Sequence, residues 1–273
     1  MKLNIVPAST GMTWVRLGIK TFLQQPLAMS GLFFLYMAAG TLLSLLPVVG
    51  WVLAPVIVPA ATLGLMAATQ EALKGKFPMP TVLISAFRVG RQRMRAMLVL
   101  GVLYAAACLL VVMVVSLLVD APPALPANAG QEAMMTPEYQ LAMMKNMSVT
   151  LLVYFPVLVL FWHAPALVHW HGISPVKSLF FSLVACARNA GAFGMYALGW
   201  TAVFLSMVAV LGLVGGLTGN VQLAAVAMLP VILILPAMFS TSIYFTFRDS
   251  FVATPPDDSA GSAEDAQNIN DNP

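Results

Sequence analysis

Charged residues are scarce in this 273-residue chain: Lys, Arg, Asp and Glu make up only 8% of it, whereas 60% of the residues are hydrophobic. A soluble domain carries about 25% charged residues, so this chain cannot cover a water-facing surface. The net charge of +3 is too small for a nucleic-acid-binding module. A mean hydropathy of +0.90 also excludes a disordered protein. Most of the chain is therefore expected to lie in a lipid bilayer.

Cysteine is rare as well. Cys108 and Cys186 are the two cysteines of the chain, and both lie in apolar stretches. A disulfide framework needs more cysteines and an oxidising compartment. We expect both thiols to be reduced and to act as small apolar side chains.

Long stretches without Asp, Glu, Lys or Arg indicate where the chain crosses the bilayer. A spanning helix needs about 20 apolar residues, and a charge at its centre costs at least about 2.5 kcal/mol. Four stretches qualify, and the first and last are each long enough for two helices separated by a break near residues 46–50 or 217–222. The sequence therefore predicts an all-α polytopic membrane protein with six spans, near residues 27–46, 50–72, 96–119, 148–170, 193–217 and 222–247.

The distribution of Lys and Arg predicts the orientation of these spans. With a cytoplasmic N-terminus, every Lys and Arg except Lys145 lies on the cytoplasmic side. Cytoplasmic loops of membrane proteins carry such an excess of positive charge. We therefore expect both termini in the cytoplasm. The first apolar run is too long for the core of a signal peptide, so we expect no cleavage there.

One pattern occurs three times: an amphipathic segment, a span without proline, and a second span that contains proline. The amphipathic segments lie near residues 14–22, 81–95 and 176–188, and we interpret them as interfacial helices on the inner leaflet. The alternative is that they are ordinary cytoplasmic loops with positive charge. The candidate contacts to anionic lipid are Arg16, Lys20, Arg88, Arg91, Arg95, Lys177 and Arg188.

These features predict three regions. Residues 1–26 form a cytoplasmic N-terminus with an interfacial helix, and residues 27–253 form the membrane domain. Residues 254–273 are acidic and are expected to form a disordered cytoplasmic tail.

The prolines of the second spans are candidate kinks. Each removes a backbone hydrogen bond, which lipid tolerates only where protein or water satisfies the freed carbonyl. We therefore expect the kinked spans to face the bundle interior, around a candidate central cavity. The residues assigned to these kinks and this cavity are Pro55, Pro59, Pro156, His163, Pro165, Pro230 and Pro236.

Small residues four positions apart predict close helix packing. Such motifs begin at Ala60, Gly101 and Gly212. We interpret them as contacts within one chain rather than between two copies.

The sequence contains no motif of a known reaction. The central parts of the spans lack charged residues, which argues against an ion-coupled pump and an aspartyl protease. His163, His169 and His171 lack the spacing of metal ligands on one helix, and we expect His163 to bond a carbonyl freed near Pro165. The Met-rich stretch 134–147 is reminiscent of copper-binding segments, but clustering is expected in a chain with 18 methionines. We predict no catalytic residue, no cofactor and no metal site.

Short motifs lie at the ends of the repeats, among them Ile5-Val-Pro-Ala8, Gly11-Met-Thr-Trp-Val15, Gly64-Leu-Met-Ala-Ala68 and Ala86-Phe-Arg88. In these motifs the chain resembles a family of proteobacterial inner-membrane proteins with no established reaction. The resemblance covers residues 5–250 and implies a six-helix protein of the bacterial inner membrane with hairpin repeats. A looser similarity links this organisation to the membrane domain of glycerophosphodiester phosphodiesterases. The chain lacks a hydrolase domain, so that activity is not implied.

Two functions from different classes agree with the sequence. The first is a non-enzymatic membrane protein that organises lipid or a protein partner. The alternative is a permease or channel for a neutral or amphiphilic solute. Both have membrane lipids as partners, and neither involves nucleic acid.

Overall fold

Helices form nearly all of the computed structural model, which describes residues 2–47, 49–121, 123, 131–219 and 221–252. The α-helices are α1 Thr10–Gln24, α2 Pro26–Ser44, α3 Gly50–Leu73, α4 Arg91–Leu118, α5 Gln131–Met134, α6 Pro137–Phe161, α7 Ala164–His171, α8 Pro175–Arg188, α9 Ala190–Thr218 and α10 Val221–Ser250. A 3-10 helix covers Pro80–Phe87. The strands β1 Lys2–Leu3 and β2 Phe251–Val252 pair antiparallel. The predicted all-α fold class is confirmed.

Five stretches of helix in the described residues are long and apolar enough to cross a membrane. They are Pro26–Ser44, Gly50–Leu73, Arg91–Leu118, Pro137–His171 and Ala190–Thr218. They correspond to the first five predicted spans. The sixth predicted span coincides with α10, where some side chains lie outside the described residues, so the number six stays a prediction. The predicted tail, 254–273, also lies outside them.

The fourth span is not the single helix that the sequence predicted. It begins at Pro137, well before residue 148, and it is interrupted at Trp162 and His163 between α6 and α7. The interruption has a local cause, because Pro165 has no N–H to donate to the carbonyl of Phe161, where α6 ends.

The elements follow one another in three units of the predicted order. Unit 1 contains α1, α2 and α3; unit 2 contains the 3-10 helix, α4 and α6–α7; unit 3 contains α8, α9 and α10. We call the first element of each unit its lead segment and the two long helices its first and second spans. The two spans of each unit pack against each other as a helical hairpin.

Each lead segment packs against the second span of the preceding unit, in cyclic order. α1 packs on α10, and also on α9; the 3-10 helix packs on α3; α8 packs on α6 and α7. The contact between α1 and α2, its neighbour in the chain, is far smaller. The three units therefore interlock through their lead segments.

Glycines allow two of these contacts to be very close. A Cβ added at Gly18 of α1 would lie 2.3 Å from the Cβ of Ser242 in α10. A Cβ added at Gly64 of α3 would lie 2.6 Å from the Cα of Leu83 in the 3-10 helix. Both helices must therefore approach their partner without an intervening side chain, as expected for packing in lipid.

The small-residue motifs behave differently from one another. Gly64 and Gly101 make close contacts within the chain, Gly101 against the backbone of Val56. Within the described residues, an added Cβ at Gly212 or Gly216 would have nothing within 4 Å. Some side chains of α10, the other span of this hairpin, lie outside the described residues, so intramolecular packing stays a prediction for this last motif.

The lead segments are more deeply packed than interfacial helices lying on a leaflet would be. In α1, the side chains of Trp14, Val15 and Phe22 are buried.

The second predicted segment is not one helix over residues 81–95. Gly90, with φ of 106°, separates the 3-10 helix from α4, which contains Arg91 and Arg95. The periodic pattern across these two helices missed this break.

Candidate functional site

The second spans meet around a cavity of about 140 Å³, which we call the inner cavity. It lies between α3, α4, α6, α7 and α10, and its lining includes Pro59, Pro165, Tyr104, Tyr154 and Phe239. Two of the candidate prolines, Pro59 and Pro165, thus line this cavity.

A second cavity, of about 350 Å³, lies between α2, α3 and α4, and we call it the side cleft. Its lining includes Tyr36, Thr41, Pro55 and Cys108. No charged side chain lines it among the described residues. Val58 and Tyr104 line both cavities, so the cleft and the inner cavity share a wall.

Tyr104 is the polar side chain of that wall, and Tyr154 lines the inner cavity beside it. Their hydroxyl groups are hydrogen-bonded to each other. The ring of Tyr104 meets the ring of Phe161 edge to face, with 5.0 Å between centroids. Sequence reasoning missed this pair. The available signal was that both spans of this hairpin carry a tyrosine in the middle of an uncharged stretch.

The remaining candidate prolines lie elsewhere. Pro156 is exposed and does not line the inner cavity, so the kinked spans do not turn every proline inward. Pro236 is half-buried and faces a groove shared with Phe33 of α2. Pro230 lies in α10, and its side chain falls outside the described residues.

His163 is fully buried at the break between α6 and α7. The rings of Phe193, Phe247 and Phe251 surround it, with centroids 5.4 to 5.9 Å from its own. Neither ring nitrogen has a hydrogen-bond partner in the described part of the chain. The expected bond from the imidazole to a freed carbonyl is therefore wrong.

Ser182 of α8 satisfies the broken backbone instead. The hydroxyl of Ser182 donates to the carbonyl of Val159 at 2.8 Å and accepts from the N–H of His163 at 3.0 Å. These two groups would bond each other directly in a continuous helix. The serine hydroxyl therefore replaces a missing helical hydrogen bond, and it comes from the lead segment of the next unit.

The cysteines are both free thiols. Cys108 lies on the wall of the side cleft, and Cys186 is buried in α8. Burial raises the pKa of the Cys186 thiol to about 12, so this group stays protonated at neutral pH.

Residues that could bind a metal do not converge in the structure. His169 is buried, whereas His171 is exposed at the end of α7. The methionines of the Met-rich stretch are exposed along α5, α6 and the turn between them. Across the described ranges, no group of three or more His, Cys, Asp and Glu residues has the geometry of a metal site.

The N-terminal part of the chain is fixed to the junction of α8 and α9 and to the end of α10 by polar contacts that the sequence analysis missed. Asn189 accepts a hydrogen bond from the N–H of Val6 at 2.9 Å and donates one to the carbonyl of Asn4 at 3.0 Å. The indole N–H of Trp14 donates to Asp249 at 2.9 Å. These partners lie more than 180 residues apart in the chain, so no local pattern reveals them.

The candidate lipid-binding cations all lie at the end of the bundle where the lead segments are, and all of their side chains are exposed. Within the described residues, none of them makes a side-chain hydrogen bond or an ion pair. The ion pair found there joins Arg248 and Asp249, which are not among the seven. Within the described residues, this end of the molecule therefore presents these cations without a carboxylate partner. The set is Arg16, Lys20, Arg88, Arg91, Arg95, Lys177 and Arg188.

Removing the Ser182 hydroxyl should destabilise the protein. Ser182→Ala leaves the His163 N–H unsatisfied and leaves the Val159 carbonyl with the weaker contact from the Cys186 thiol at 3.9 Å, at a cost of about 1–3 kcal/mol. Ser178→Ala is the matched control on the same helix, because the Ser178 hydroxyl bonds only the carbonyl of Pro175, one turn away. The measurement is the midpoint of thermal unfolding in detergent. An equal loss in both variants would contradict the bridging role of Ser182.

The chain is similar to a probable inner membrane protein of Burkholderia thailandensis. The two are 37% identical over 259 residues, which cover 92% of this chain and 94% of the relative. No family model and no solved structure matches the chain. The similarity extends through all three units, and it confirms the resemblance carried by the repeat-end motifs. The chain therefore belongs to the same family of multi-pass inner-membrane proteins as this Burkholderia protein.

Proposed function

We propose that this protein is a non-enzymatic organiser of anionic lipid in the inner membrane. The observation that carries the proposal is the set of seven exposed Lys and Arg side chains, which have no acidic partner in the described part of the chain. An anionic headgroup near such a surface contributes roughly 1 kcal/mol per basic residue.

The shape of the lead segments supports this function. On α8 the serine face is buried, whereas Val176 and Phe180 are exposed beside Lys177. On the 3-10 helix, Ile84 is exposed close to Arg88. Apolar side chains next to cations suit the boundary between acyl chains and headgroups.

The proposal includes the orientation that the charge distribution favours, with both termini in the cytoplasm. A reporter that is active only in the cytoplasm, fused after Pro273, should therefore be active. Activity only of a periplasmic reporter at the same position would reverse the orientation.

Neutralising one of the exposed cations should weaken binding of anionic lipid. Arg91→Gln is expected to lower the affinity for phosphatidylglycerol about fivefold, since each basic residue near the surface contributes about 1 kcal/mol. The measurement is a titration of phosphatidylglycerol into the detergent-purified full chain, followed by native mass spectrometry.

Lys145→Gln is the matched control, because it removes one exposed cation from the opposite end of the bundle. It should leave the affinity unchanged. Equal losses in the two variants would show that net charge alone is responsible, and the proposed surface would then be wrong.

A second candidate, a permease for a neutral or amphiphilic solute, is favoured by one observation. Val58 and Tyr104 line both the inner cavity and the side cleft. A solute that moves from one cavity to the other would therefore have to cross this shared wall. Solute flux across liposomes that stops when Pro59 is replaced by Trp, but continues after Pro156→Trp, would favour transport over lipid organisation.

A further inference from the structure

The side cleft has the properties of a binding site within the membrane. It is lined by α2, α3 and α4, which are three of the helices long and apolar enough to span a bilayer. Met37, Thr41 and Ser44 line it and are exposed, so the cleft is open on one side of the bundle. A ligand would therefore enter from the lipid rather than from water.

The polar groups in the cleft are all uncharged. They are the hydroxyls of Tyr36, Tyr104, Thr41 and Ser44 and the thiol of Cys108. The Ser44 hydroxyl is engaged, because it donates to the carbonyl of Thr41 at 2.7 Å. The Tyr104 hydroxyl is bonded to Tyr154.

The Tyr36 hydroxyl differs from these two because it makes no hydrogen bond within the described residues. Tyr36 lies in the middle of α2, and its ring is held by an edge-to-face contact with Phe33, with 6.0 Å between centroids. A phenol in the membrane interior has a strong preference for a hydrogen-bond acceptor, since lipid chains offer none.

The cleft also has room for a hydrocarbon chain. A Cβ added at Gly40, which lines the cleft on α2, would meet nothing within 4 Å. The volume of about 350 Å³ is within the usual range for small-molecule sites, which is about 300–1,000 Å³.

We infer that the side cleft binds a neutral lipid whose uncharged head accepts a hydrogen bond from the hydroxyl of Tyr36, while its chain lies along Gly40 and Pro55. Charge complementarity identifies this class of ligand. An anionic or cationic headgroup would find no counter-charge in the described lining of the cleft, whereas a carbonyl or hydroxyl group finds a free donor. Long-chain quinones and diacylglycerols both have this chemistry. The site is distinct from the exposed cations of the proposed function.

Photo-labelling of the full chain tests this inference. The protein is placed in nanodiscs of phosphatidylcholine that contain a diacylglycerol bearing a diazirine group, and labelled peptides are identified by mass spectrometry. A long-chain quinone and unlabelled phosphatidylglycerol serve as competitors. Label should appear on α2, α3 and α4 and should be displaced by unlabelled diacylglycerol or by the quinone, the stronger competitor being the physiological class. Displacement by phosphatidylglycerol at equal concentration would overturn the inference of a neutral ligand.

Two variants of α2 make the test specific. Gly40→Phe fills the cleft and should reduce labelling at least tenfold. Gly31→Phe is the matched control, because Gly31 also has nothing within 4 Å of an added Cβ but does not line the cleft. It should leave labelling unchanged. Undiminished labelling in Gly40→Phe, or an equal loss in Gly31→Phe, would overturn the inference.

The role of the hydroxyl is tested by Tyr36→Phe, which keeps the ring and removes only the donor. Labelling by the diacylglycerol probe should fall about two- to tenfold, the usual effect of one hydrogen bond. Labelling by a diazirine-bearing alkane, which has no acceptor, should not change. If the two probes respond alike, the cleft holds ordinary acyl chains and the inference of a hydrogen-bonding head is wrong. Arg91→Gln should not affect either probe, so failure here is distinguishable from failure of the proposed function.

Discussion

Lipid offers no hydrogen bond to an interrupted helix, and this constraint explains much of the architecture. The second spans contain prolines, and the span of unit 2 is interrupted at Trp162 and His163. The protein resolves the interruption by bringing the Ser182 hydroxyl from the lead segment of the next unit. A segment that resembles a peripheral interfacial helix in sequence is thus part of the hydrogen-bonding of a membrane span.

In the other two units the second span is continuous and packs directly against the lead segment of the next unit. Gly18 approaches Ser242 beyond Pro236 in α10, and Gly64 approaches Leu83 beyond Pro59 in α3. The inner faces of the three lead segments hold the units together. The outer faces of α1 and α8 also carry Arg16, Lys20, Lys177 and Arg188, which are exposed at one end of the bundle. The structural role constrains where the cations lie, and the proposed lipid binding uses that arrangement.

The sequence predicted features that depend on local composition. Absence of charge located the spans, and proline position identified Pro59 and Pro165 as residues of the bundle interior. The sequence could not reveal contacts between distant segments, such as those of Asn189 with Asn4 and Val6, because these contacts depend on the cyclic order of packing. Periodicity across residues 81–95 was misleading, since it does not detect a backbone break at Gly90. A central cavity was expected from the prolines, but the side cleft escaped prediction, because its residues Tyr36 and Tyr104 come together only after α2, α3 and α4 have packed.

Cyclic packing of the lead segments is the central claim, and a disulfide between α1 and α9 tests it most directly. A Cβ added at Gly199 lies 3.0 Å from the Cγ2 atom of Val15, which puts the two Cβ atoms within about 4.5 Å of each other, so Val15→Cys and Gly199→Cys should crosslink in a chain whose two native cysteines are replaced. A protease site inserted between α4 and α6 separates α1 from α9 after cleavage. The account predicts that the two fragments run as one band until reduced. It also predicts that Val15→Cys with Gly212→Cys, about 20 Å further along α9, gives two bands. Separate fragments from the first pair under oxidising conditions would contradict the account.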